Sequence, residues 1–229
     1  MTNWPSKRRH DRGFSLIELA IALLVIASLA VSALGSVSGQ RGVAREKRWQ
    51  AQGETVLDAL YGFALRHGRL PCPANPLLAS TQDAAGVEDC ALEHGVLPWA
   101  TLAVPELDPW GHRLTYFARR SFTSDPANGA RAGFTLSTQG NASIRAAAGS
   151  ASKLADALPA VIVSHGANGN GGYRTDGTSA PVNPPDEAEN ADGDLIFVSH
   201  LPAPDFDDHV LWIIPDLLAS RLLQAGLLP

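Results

Sequence analysis

Residues 13–34 read GFSLIELAIALLVIASLAVSAL, an apolar run opened by Gly13-Phe14 and interrupted by one carboxylate, Glu18. From Leu19 to Gln40 there is no charged side chain, close to the roughly 20 apolar residues that a helix needs to cross a bilayer. Ahead of the run, Lys7, Arg8, Arg9 and Arg12 stand against Asp11 alone, a net of +3 over the first thirteen residues. That bias places the N-terminus in the cytoplasm and everything after about residue 40 on the far side of the membrane. Beyond the run, Trp49, Val56, Leu60, Phe63 and Ala64 keep helical spacing, Gly68 fits a C-cap and Pro71 a stop. The spacing predicts one helix from Phe14 to His67, about 80 Å long at 1.5 Å per residue.

Two processing routes fit a basic start followed by an apolar run. In the first, Val31-Ser32-Ala33 serves as a signal-peptidase site, and cleavage after Ala33 releases a soluble periplasmic binding protein or hydrolase. Glu18 argues for the second, because a carboxylate inside an apolar span costs about 2.5–3.5 kcal/mol on insertion scales and so needs a partner. The stretch Gly13-Phe14-Ser15-Leu16-Ile17-Glu18-Leu19 resembles the recognition site of type IV prepilins and type II secretion pseudopilins. The resemblance implies that a prepilin peptidase cuts after Gly13, that Phe14 becomes the N-methylated terminus, and that Glu18 guides assembly. The chemistry is consistent with that role, since cleavage creates an ammonium at Phe14 with which a neighbouring subunit's Glu18 can pair.

The same resemblance implies an α+β, pilin-like fold. A long N-terminal helix, transmembrane in its first half, packs on a small antiparallel β-sheet head. Residues 1–13 are then a basic leader, 14–40 the transmembrane and assembly helix, and 41–229 a periplasmic head that includes the second half of the helix. It further implies a non-catalytic subunit of the bacterial inner membrane, single-pass, with the peptidase and other pilin or pseudopilin subunits as partners.

The chain has 229 residues, 45% of them apolar, which leaves room for one folded head beyond the membrane segment. Its net charge is -5, and removing the basic leader leaves about -8. A domain that acidic has no general attraction for nucleic acid. Cys72 and Cys90 form one disulfide if the head lies in an oxidising compartment, worth roughly 3 kcal/mol in the chain-entropy model, and are otherwise two free thiols. No Cys/His spacing completes a tetrahedral metal site.

Leu70 to Trp110 reads as loop, with Pro71, Pro73, Pro76, Pro98, Pro105 and Pro109 interrupting it. Strands are predicted at 112–118, 133–137, 160–164, 194–199 and 210–214, an exposed loop at 166–193, and a short amphipathic helix from Pro215 to Leu223. Asp108-Pro109-Trp110-Gly111, followed by Tyr116, is similar to a turn and strand entry of major pseudopilins, and its expected role is structural. The arrangement of Cys72, Cys90 and Leu97-Pro98-Trp99 is similar to a group of bacterial prepilin-type proteins.

Asn190, Asp192 and Asp194 place oxygen side chains at alternate positions, a spacing that suits Ca²⁺ or a solvated acidic turn. Leu195 and Leu201 stand where an EF-hand requires glycine and glutamate. Major pseudopilins bind calcium after a Gly-Ala-Asp-Gly-like run, and Gly166-Ala167-Asn168-Gly169 is similar. The resemblance thus implies Asn168, Asn190, Asp192 and Asp194 as the candidate ligands. His165, His200 and His209 show no ligand spacing. Ser164-His165 has no nucleophile elbow, and Gly169 to Gly172 lacks the lysine of a phosphate loop.

Overall fold

The computed structural model describes residues 15–127 and 129–228, the side chains of residues 29–41 excepted. The chain divides into two compact units, Met1–Arg45 and Glu46–Pro229. The predicted helix is present as α1, Leu16–His67, 52 residues long. In the first unit its described side chains are exposed, with Leu16, Ile17, Leu24 and Ile26 each more than 60% accessible. An apolar surface of that extent has no favourable contact with water. Among the described residues no helix is long and apolar enough to cross a membrane. Residues 29–34, which complete the apolar run in the sequence, fall among those whose side chains are not described.

In the second unit α1 presents Trp49, Val56, Leu60, Phe63 and Ala64 as a buried stripe. It ends as its sequence dictates. Gly68 takes φ +68°, its N–H donates to the Ala64 carbonyl at 2.8 Å, and its own carbonyl accepts from Gly133. Among the described residues seven strands follow: β1 (His94–Val96), β2 (Thr115–Ala118), β3 (Ala142–Arg145), β4 (Lys153–Leu158), β5 (Ala160–Ser164), β6 (Ile196–Val198) and β7 (His209–Trp212). Short helices α2 (Trp99–Leu102), α3 (Arg120–Thr123) and α4 (Pro185–Glu189) lie in the connections, and α5 (Pro215–Gln224), with Pro215 in its first turn, is the last element among the described residues.

The strands form two sheets. One is antiparallel throughout, in the order β1-β2-β5-β7; the other runs β4-β3-β6, with β3 and β6 parallel. Strand alternation sorts the core into two clusters. Tyr116, Ala118, Ala160 and Ile162 point to the side where α1 and Leu218 and Leu222 of α5 pack. Phe117, Val161 and Val163 point the other way, onto Ala142, Ile144, Leu158 and Phe197 of the second sheet. The head is therefore three layers deep: helices, antiparallel sheet, second sheet. All five residues of β5 are buried because both faces of this strand are covered. Pro159, the single residue between β4 and β5, takes the chain from one sheet to the other.

The strand expected at 160–164 is present over that range as β5, those expected at 112–118 and 194–199 are present in shortened form, and the one expected at 210–214 runs from His209 to Trp212. The one expected at 133–137 is not a strand. Phe134 anchors a turn there, in which Thr138 N–H donates to the Thr135 carbonyl, so a single inward side chain replaces an alternating face. Nor is 166–193 simply an exposed loop. It holds α4, and Glu187 and Asn190 within it are buried, Glu187 bonded to Asn168, Asn170 and the Asp207 amide and Asn190 to Val198 of β6.

Candidate functional site

Gly13 and Phe14 lie outside the described residues. Glu18 sits in the first turn of α1, where a carboxylate faces the positive end of the helix dipole, and is exposed. Cys72 and Cys90 are joined in a disulfide with Cα atoms 5.0 Å apart. Beside it, Arg69 grips Glu88 through two N–H···O bonds of 2.9 and 3.0 Å, and the same carboxylate accepts from the Cys72 amide. The loop is closed from within by Arg113, which is wholly buried. Its guanidinium donates to Glu106 and to the carbonyls of Pro76 and Leu78.

The Asp108 turn is held by its own side chain. Asp108 Oδ1 accepts from the amides of Trp110, Gly111 and His112 at 2.8–2.9 Å, and Oδ2 accepts from Ser164 Oγ at 2.6 Å. Gly111 takes φ +100°, and Trp110 stacks on His209 with ring centroids 5.1 Å apart. Trp49 covers the imidazole from another direction at 5.4 Å, and burial lowers the His209 pKa.

The four expected calcium ligands each make hydrogen bonds within the head. Asp192 Oδ1 accepts from the Asp194 amide and Asp194 Oδ1 from the Ile196 amide, and both side chains are exposed. Asn190 is buried and clamps β6, its Oδ1 accepting from Val198 N–H and its Nδ2 donating to the Val198 carbonyl and to Asp208. Asn168 donates through Nδ2 to Glu187.

The carboxylates that converge are three others: Glu187 of α4, and Asp207 and Asp208 just ahead of β7. One oxygen from each lies within 4.8 Å of the other two. Glu187 is fully buried and Asp208 is 5% exposed. Amides hold them in place. Asn168 and Asn170 donate to the two oxygens of Glu187 at 2.6 and 2.7 Å, the Asp207 amide donates to Glu187 Oε1, and the Ala167 and Asn168 amides donate to Asp207 Oδ2. Burial pushes the Asp208 carboxyl up to about 8, the Asn190 amide opposing and Glu187 and Asp207 adding to the rise. Burial raises Asp207 as well. His165, also wholly buried, is depressed to about 4 by its burial and by the nearby His112. Its Nε2 lies 2.8 Å from Thr115 Oγ1 and its Nδ1 3.8 Å from Asp208 Oδ1.

Cys72, Glu88 and Cys90 also gather their ligand atoms closely, but their sulfurs are spent in the disulfide and a metal needs thiolates. The sequence signal for this carboxylate cluster was Asp207-Asp208 abutting an apolar strand. Glu187 had none, because only the fold carries it there.

Residues 8–34 match the family model described as the prokaryotic N-terminal methylation motif. Over 62 residues the chain is 32% identical to Competence protein ComGC of Halalkalibacterium halodurans, a stretch covering 27% of this chain and 61% of that protein. The chain thus spans about three fifths of the length of the curated relative it matches. No solved structure matches the chain. The motif and the relative together support a pilin- or pseudopilin-type subunit.

Proposed function

We propose that this chain is a structural subunit that is cut after Gly13, N-methylated on Phe14 and assembled into a pilus or pseudopilus. The observation that carries the reading is the match of residues 8–34 to the methylation motif. The exposed apolar side chains of residues 16–26 support a helix that is anchored in the inner membrane before assembly and packs on its neighbours' helices afterwards. The head then lies in the periplasm and faces outward in the filament. The prepilin peptidase and other pilin or pseudopilin subunits are the partners. The Asp108-Pro109-Trp110-Gly111 turn favours a pseudopilin of a type II secretion system over a type IV pilin.

Assembly on this reading turns on Glu18. In the membrane an unpaired carboxylate is costly, and the new ammonium of a neighbour's Phe14 supplies the missing charge. A subunit out of register leaves both groups unpaired, so the pair selects one axial position. Substituting Glu18→Ala leaves the protein in the membrane fraction but removes it from pull-downs with the other filament subunits; undiminished co-purification would refute the role. Mass spectrometry of the mature N-terminus tests the processing. Methylated Phe14 is expected, whereas a terminus at Leu34 would identify a periplasmic protein released by signal peptidase and overturn the filament reading.

A further inference from the structure

The head carries an apolar tip at one end. In the loop between β6 and β7, Leu201, Pro202, Ala203, Pro204 and Asp205 are exposed in succession, Leu201 to 85%. A lone apolar side chain on a surface is ordinary, but this one belongs to a loop that is held in shape. Ala203 N–H donates to the Phe206 carbonyl at 2.8 Å, and Phe206 N–H donates back to the Ala203 carbonyl at 3.2 Å. The His200 ring stacks on the buried Phe206 with centroids 3.9 Å apart, and its Nδ1 lies 2.8 Å from the Leu201 carbonyl oxygen. Pro202 and Pro204 fix two φ angles of their own. A loop ordered before it meets a partner loses little entropy on binding. Asp205 adds a negative charge beside the tip, and no Lys or Arg among the described residues pairs with it.

A cavity of about 460 Å³ lies at the other end, lined by Ala130, Arg131, Phe134, Gly226, Leu227 and Leu228 among others. Phe134 and Leu228 are its buried apolar floor, and Phe122 backs Phe134 with ring centroids 4.7 Å apart. Arg131 ties the two walls, its Nη1 donating to the Gly226 carbonyl at 3.2 Å. Its side chain is exposed, and no carboxylate among the described residues pairs with it. A volume of this size encloses a small ligand, or the two side chains of a leucine and a proline. Helix α1 measures the separation of tip and cavity. Trp49 lies against His209, four residues after Asp205. Nineteen residues further along α1, the Gly68 carbonyl accepts from Gly133 N–H at 2.9 Å, within the stretch that lines the cavity. At 1.5 Å per residue the two points are about 28 Å apart, so tip and cavity lie at opposite ends of the head.

We propose that the tip at residues 201–205 of one copy seats in the cavity of a second copy of this chain, a head-to-tail contact between heads. Leu201 and Pro202 enter above Phe134 and Leu228, and Asp205 meets Arg131 at the rim. The opposite charges of tip and cavity, each unpaired within its own copy among the described residues, are what select a second copy as the occupant. The apolar anchor carries the affinity, and the rim pair adds selectivity and register. Because the two patches differ and lie at opposite ends, the contact is heterologous and repeats along a row of copies instead of closing on itself as a twofold dimer. The proposal deepens the filament reading and rests on it for the stems that keep successive copies together.

The test uses the full-length protein in membranes of the cells that make it, treated with a short bismaleimide. Both native cysteines are held in the disulfide, so introduced thiols report alone. A chain carrying Ala203→Cys and Ala130→Cys together gives a ladder of dimers, trimers and higher species. Two co-expressed chains with one substitution each give dimers and nothing larger, and either chain by itself gives no product. In the doubly substituted chain Leu201→Asp lowers the ladder at least about tenfold. Asp205→Arg lowers it about two- to fivefold, and adding Arg131→Asp restores it. Dimers from Ala203→Cys alone overturn the proposal, because they place two tips together. Adducts solely to a different protein overturn the choice of a second copy. A missing ladder alongside methylated Phe14 overturns the contact and leaves the filament reading standing, whereas a mature terminus at Leu34 overturns both.

Discussion

Single side chains determine where this head bends. Asp108 holds three consecutive amides with one oxygen and Ser164 with the other, coupling the entry of β2 to the end of β5. Asp108→Ala removes a nearly buried acceptor and strands those donors, so it destabilises the protein by about 3 kcal/mol, read from urea unfolding. Glu88 shows a charge whose balance can be tested by pH. Burial works to raise its pKa, but the bonds from Arg69 and the Cys72 amide outweigh that and hold it below the usual 4.5. With the folded value depressed, its contribution is present above the unfolded pKa and lost as pH falls through the folded one. Acid unfolding of Glu88→Gln is accordingly less steep below about pH 4.5 than that of the wild type; equal slopes would show that the pair contributes nothing. The Asp108 turn was legible in four consecutive letters, since Asx and glycine chemistry acts over neighbouring residues. Arg69–Glu88 was not, because nothing local pairs residues 19 positions apart.

At the level of elements, legibility follows how much of an element's stabilisation is its own. Helix α1 announced itself through length and spacing, with Gly68 closing it. β5, Ala-Val-Ile-Val-Ser, reads as a buried strand because every residue suits a covered site. Ile162→Ala at its centre opens a cavity between α1 and the sheet and costs about 2–5 kcal/mol, measured as a shift in the denaturation midpoint. β1, β3 and β4 passed unread. β1 is three residues long among prolines, and β4 carries Lys153 and alanines along a largely exposed edge. Their pairing partners supply what their own residues lack. The proline-rich segment between α1 and β2 depends on the Cys72–Cys90 bridge. The Cys72→Ser, Cys90→Ser pair loses about 3 kcal/mol, seen as a lower Tm that no longer responds to reductant.

For the whole molecule, the order of letters from Gly13 to Leu34 was sufficient by itself. On the filament reading proposed above it marks how the chain is processed, because a peptidase and a bilayer read local sequence, charge and hydropathy without needing a folded head. Elsewhere the long helix, the Asp108 turn, the central strand and the terminal α5 were legible too, each from the residues of one short stretch. The carboxylate cluster belongs to the other category. Glu187 stands 20 positions before Asp207, and His165 another 22 before Glu187, so no periodicity or motif joins them. The acids that look like ligands in sequence, Asp192 and Asp194, each turn one oxygen onto the backbone amide two residues on. Tertiary packing made that choice. It buries Glu187 and Asp208 where amides align them and where, among the described residues, no Lys or Arg pairs with either, and in a low dielectric charge balance is set by neighbours in space.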